Sequence, residues 1–89
     1  MCVAEGGGVV DRKRLERDLA LVDHEITLNE RQMHRQRELI AKLENGGRDA
    51  NAARERLVAI EAFQALRFAD RELFRQELAL FRQRQKKIW

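Results

Sequence analysis

Residues 40–57 read Ile40-Ala41-Lys42-Leu43-Glu44-Asn45-Gly46-Gly47-Arg48-Asp49-Ala50-Asn51-Ala52-Ala53-Arg54-Glu55-Arg56-Leu57. Good helix formers stand on both sides of Asn45-Gly46-Gly47, and such a glycine pair ends a helix because its backbone reaches left-handed φ at no steric cost. Gly46 suits the left-handed position just past the last helical residue. Asp49 follows at once and is a good N-cap for a second helix. The stretch therefore predicts helix, turn over residues 46–48, and helix again. A connection this short leaves two long helices no arrangement but antiparallel.

Working outward, the apolar spacing upstream alternates between four and three: Leu15, Leu19, Val22 and Ile26, then Asn29, Met33, Gln36, Ile40 and Leu43. Downstream it repeats through Ala53, Leu57, Ile60, Gln64, Arg67, Arg71, Phe74, Leu78, Phe81, Gln85 and Ile88. A 4–3 alternation over so many turns, with no proline to break it, is the heptad pattern of coiled-coil helices. The predicted helices span residues 11–45 and 49–88, each roughly 50–60 Å long at about 1.5 Å per residue. Pairing them about the turn sets Leu43 by Ala53, Ile40 by Leu57, Val22 by Phe74, Leu19 by Leu78 and Leu15 by Phe81. The first helix is expected to be capped by Asp11, with Val10 and Leu15 forming a hydrophobic staple. Arg12, Lys13 and Arg14 then oppose the helix dipole in its first turn. Residues 1–10, with three consecutive glycines, are expected to form a disordered tail. Val9 and Val10 also allow initiation at a valine codon, which would remove the first eight residues.

The fold class expected is thus all-α, an antiparallel two-helix hairpin that dimerises into a four-helix bundle. Composition agrees: 89 residues, no proline, no tyrosine, 37% charged and 44% apolar describe long helices rich in surface. A chain this short has little capacity to fold walls around a substrate. The single cysteine, Cys2, cannot form an internal bridge, so a reducing compartment is expected. The start lacks the apolar run of a signal peptide, and no stretch approaches the roughly 18 apolar residues of a membrane span. A cytoplasmic location is the expectation.

Two features go beyond what a lone hairpin requires. The middle of the seam holds Asn29, Gln36, Gln64, Arg67 and Arg71, where leucines would pack better. Polar seam residues fix register and strand number at a cost in stability, and Glu30 or Asp70 is within reach of Arg67 or Arg71. A polar pocket for a ligand or an acidic side chain is the alternative. Outside the seam, Leu66, Leu73 and Leu80 recur every seven residues beside Phe63, and Leu21, Leu28 and Leu39 flank the first helix. Burying seven such side chains stabilises by on the order of 10–20 kcal/mol gross, which a lone hairpin leaves unused. These seven residues are the expected interface to a second copy or to another helical protein.

Chemical motifs are sparse. There is no serine, and the one threonine, Thr27, has no activating neighbour. No glycine run precedes a Lys-Ser/Thr, so a phosphate loop is absent. His24 and His34 are ten apart and form no metal-ligand pattern. No enzyme, cofactor or metal site is expected. Nucleic-acid binding is the alternative function. Fourteen of the 18 basic residues are arginine, the better partner for phosphate. Arg31, Arg35 and Arg37 form one cluster. Arg82, Arg84, Lys86 and Lys87 form another with no acidic neighbour, next to a Trp89 able to stack on a base. The same end suits an anionic membrane surface less well. Acidic residues are interleaved nearly everywhere else. Residues 11–46 hold eight of each sign and residues 47–89 hold ten bases and six acids, so the second half carries +4, which Glu5 brings back to the net +3.

The run Arg35-Gln36-Arg37-Glu38-Leu39-Ile40-Ala41-Lys42-Leu43-Glu44, followed by the glycine turn and by Asp70-Arg71-Glu72 with Phe74, Glu77 and Leu78, resembles a group of small alphaproteobacterial helical-hairpin proteins. Their pattern is R-x-x-R-Q-R-x-L-I-A-x-L-E, a glycine-containing turn, and a helix ending D-R-x-x-L-x-x-E-L. The likeness covers about residues 29–80. It implies a bacterial cytosolic hairpin and no particular activity. Where the pattern has a leucine and a histidine, this chain has Gln64 and Arg67, which makes its middle more polar.

Overall fold

The computed structural model describes residues 12–87, with side chains as far as Arg84. It consists of two helices, α1 over Arg12–Asn45 and α2 over Asn51–Lys87, and no strand occurs among the described residues. They pack against each other along their length as an all-α antiparallel hairpin. The expected tail over residues 1–10, the Asp11 cap with its Val10–Leu15 staple, Cys2, Ile88 and Trp89 lie outside the described residues. At the start of α1, Arg12 reaches Glu16 one turn later at 3.4 Å.

The turn is a Schellman motif displaced by one residue from the expected one. The Arg48 N–H donates to the Leu43 carbonyl at 2.7 Å, and the Gly47 N–H donates to the Glu44 carbonyl at 3.0 Å. That pair of bonds places the left-handed residue at Gly47, whose φ is 69°, and not at Gly46. Gly46 still bonds back to the Lys42 carbonyl at 3.0 Å and so belongs to the last helical turn. The second helix also starts two residues later than Asp49. The Asp49 carboxylate accepts from the Asn51 N–H at 2.9 Å, and the Ala50 carbonyl accepts the first intrahelical bond from the Arg54 N–H at 2.9 Å. Asp49 and Ala50 thus form the cap, leaving α2 to begin at Asn51.

The core is a single stripe. Leu15, Val22, Ile26, Ala50, Ala53 and Leu78 are buried, all but Ala50 at seam positions given by the 4–3 spacing. Among the described residues, no large side chain is completely removed from water. The thinnest dimension, 14 Å, is little more than the width of one helix with its side chains. Each helix is therefore covered on one side only, by the other helix.

Gly47→Ala should lower unfolding free energy by about 1–2 kcal/mol, because an L-residue is strained in the left-handed region. Gly46→Ala should cost less, since a Cβ there meets the Lys42 carbonyl at an ordinary 3.4 Å. Urea titration followed by circular dichroism measures both.

Candidate interaction face

A helix turns about 100° per residue, so heptad letters assign every side chain to a side of the hairpin. Taking the seam residues as a and d puts Leu15 at d and Ala53 at d. In an antiparallel pair the g flank of one helix lies beside the g flank of the other, and e beside e. The cross-helix contacts obey this rule. Arg54 pairs with Glu44, both at e, and Arg37 pairs with Glu61 at 3.5 Å, also both at e. Arg71, from the seam, reaches Asp23 on the same flank at 3.8 Å. One broad side of the hairpin is thus laced by ion pairs.

The opposite side is different in kind. Leu21 and Leu28 stand at c and Leu39 at g of α1, while Phe63 stands at g and Leu66, Leu73 and Leu80 at c of α2. The antiparallel rule puts both sets on one side, and the geometry agrees, because Leu28 and Phe63 line a single hollow of about 270 Å³ with Glu25, Asn29, Gln32 and Arg67. A neighbouring hollow of about 440 Å³ is lined by Leu21, Val22, Phe74, Asp18 and Asp70, among others. All seven large apolar residues are exposed, from 39% for Leu28 to 62% for Leu21. Half-exposed side chains in that number leave on the order of 500–700 Å² of apolar area on one side, at or above the largest patch that monomers usually show. Val58 and Phe68, which the lateral spacing did not single out, are exposed on the ion-paired side. Phe68 is covered in part by Arg71, whose guanidinium carbon is 5.0 Å from the ring centre.

The polar middle separates into distinct environments. Gln64 is the most buried polar residue, at 4% exposure. Its carbonyl oxygen accepts from the Asn29 amide at 3.0 Å, and its own amide donates to the Ile26 backbone carbonyl at 3.0 Å. Arg67 and Arg71 leave the seam toward opposite sides. Arg67 turns to the apolar side, donates to Glu25 at 3.3 Å, pairs with Asp70 at 3.0 Å and lies 5.9 Å from the Phe63 ring centre. Arg71 turns to the ion-paired side and to Asp23, so of the two carboxylates expected to serve the arginines, Asp70 does so and Glu30 pairs with neither. Partly exposed pairs of this kind contribute about 0–1 kcal/mol each. Among the described residues, two buried polar atoms, the Gln36 Oε1 and the Arg67 Nε, have no hydrogen-bond partner. Gln36 opens onto a further hollow with Gln32, Arg35, Arg56 and Ile60.

Of the other candidate residues, Arg31 and Arg35, one turn apart, line one open hollow with Thr27, Glu30, His34 and Glu38, whereas Arg37 stands at e and is engaged by Glu61. Arg82 and Arg84 are exposed at the open end. The side chains of Lys86 and Lys87, and all of Trp89, lie outside the described residues. His34 is 3.5 Å from Glu38 one turn away. Among the described residues, no three His, Cys, Asp or Glu side chains gather at metal-ligand distances. Among the described residues, no helix is long and apolar enough to cross a membrane. No protein-family model, no curated protein and no solved structure matches the chain.

Asn29→Leu should cost about 1–3 kcal/mol, because it leaves the buried Gln64 oxygen without a donor. Asn29→Leu combined with Gln64→Leu should recover that loss or exceed it while loosening the register. Urea denaturation gives the first comparison, and broadening of amide resonances reports the second.

Proposed function

We propose that the chain is a non-catalytic structural and protein-interaction module of the bacterial cytoplasm, a helical hairpin that associates with a second copy of itself to form a four-helix bundle. The observation that carries this reading is the asymmetry of the two sides: one is tied by three cross-helix ion pairs, the other holds one, Arg67–Glu25, among seven large apolar residues. A standard interface buries roughly 800 Å² per partner, and the apolar side supplies most of that area. A hairpin one layer thick has no other means of burying those residues. Closed two-fold pairing is the simplest assembly in which the same surface meets itself. The single cysteine is in keeping with a reducing compartment.

The alternative, a nucleic-acid-associated protein using the basic C-terminal end, has Arg82 and Arg84 in its favour among the described side chains. The two readings separate on salt. Phosphate binding weakens steeply as salt rises, whereas burial of leucines persists.

Light scattering on an eluting column should give a mass near twice 10.5 kDa for the native chain. Leu66→Glu, Leu73→Glu and Leu80→Glu together should return it to a monomer with little change in helix content at saturating stability. An unchanged dimer of the triple variant would remove the apolar side as the interface.

A further inference from the structure

We infer that the second copy docks antiparallel to the first, with the turn of one hairpin against the open end of the other. This rests on the self-association proposed above and adds to it the direction of docking. The apolar residues alone do not choose a direction, because they are spread along the whole side. The charges among them do.

On the half of that side nearest the turn, Arg35 and Lys42 stand at c and Arg56 at g, with no acidic residue at any g or c position beside them. On the half nearest the open end, Asp18 and Glu77 stand at g. Glu25 and Asp70 lie between, already engaged by Arg67. None of Arg35, Lys42, Arg56, Asp18 and Glu77 takes part in an ion pair within the described residues. The side is thus basic toward the turn and acidic toward the open end, with Arg14 and Arg84 beyond the acidic stretch at the very tip.

Distances along the helices make the match specific. At about 1.5 Å per residue, Lys42 and Arg56 stand roughly 5–8 Å from the turn, and Asp18 and Glu77 roughly 40 Å from it. A two-fold axis crossing the side about 24 Å from the turn, level with Leu28 and Leu66, brings the basic pair of one copy over the acidic pair of the other. The same axis meets both ends at once, so the complementarity is used twice. Parallel docking would instead set basic on basic and acidic on acidic along the same length. Complementary rim charges fix orientation and speed encounter more than they add affinity, so the leucines hold the dimer and the charges direct it.

Two measurements test the direction. A spin label on Arg48→Cys, in a Cys2→Ser background, reads the separation of the two turns by dipolar spectroscopy. Antiparallel docking predicts about 45–50 Å, and parallel docking under about 20 Å. In parallel, Lys42→Glu with Arg56→Glu, and separately Asp18→Lys with Glu77→Lys, should each weaken dimerisation about tenfold or more at low salt. All four changes in one chain should restore it, because the two facing pairs then exchange sign. Circular dichroism checks that each variant keeps its helices. A short turn-to-turn distance, or an exchange variant no better than either half, overturns the antiparallel direction and leaves self-association intact. A native chain that is monomeric at every concentration overturns the association itself, and the direction with it.

Discussion

Everything in this molecule follows from the left-handed backbone at Gly47. With the Arg48 and Gly47 N–H groups turned back onto the Leu43 and Glu44 carbonyls, the chain reverses within five residues, and the second helix can run only alongside the first. Antiparallel packing then decides which flanks become neighbours. It sets e against e, where Glu44 meets Arg54 and Glu61 meets Arg37. It also sets g against g, which gathers two leucine series from distant parts of the sequence onto one side. A parallel pair of the same helices would have mixed charged and apolar flanks on both sides.

The seam itself is divided between adhesion and specification. Leu15, Val22, Ile26, Ala53 and Leu78 bury apolar surface in two groups toward the ends. Between them, Gln64 is drier than either leucine of the core yet spends both ends of its amide on α1, one on Asn29 and one on the Ile26 carbonyl. A slip of one heptad would strand that amide in an apolar layer, at a cost of about 1–3 kcal/mol. Apolar layers tolerate such slips far better. The glutamine therefore acts on register, while its contribution to net stability is small or unfavourable.

Much of this was legible in the sequence, for physical reasons that also mark where legibility ended. Heptad spacing identified the buried stripe because burial on a helix is a matter of angle, and angle is fixed by residue number. The Gly46-Gly47 pair announced the turn but not which glycine would be left-handed. That depends on where the last helical hydrogen bond closes, and either glycine can adopt the conformation. The start of α2 moved from Asp49 to Asn51 for a similar reason, since Asp49 satisfies the Asn51 N–H from outside the helix. The arginines were least legible. Several carboxylates lie within the sweep of a long side chain, and rotamer choice sent Arg71 to Asp23 and Arg67 to Glu25 and Asp70.

The lateral leucines show the limit most clearly. Spacing alone reveals that Leu66, Leu73 and Leu80 share a line on α2, and that Leu21 and Leu28 share one on α1. It does not reveal that the lines share a side, because that is a property of the pair of helices and their relative direction. Once the turn fixes that direction, heptad letters suffice: c and g on one helix join c and g on the other. The consequence extends to charge. Asp18 and Glu77 are 59 positions apart in sequence and Lys42 and Arg56 are 14 apart, yet each pair comes to the same level and the same side of the hairpin. A side that carries apolar residues along its length, with a basic stretch toward the turn and an acidic one toward the open end, matches itself best when a copy is turned end over end.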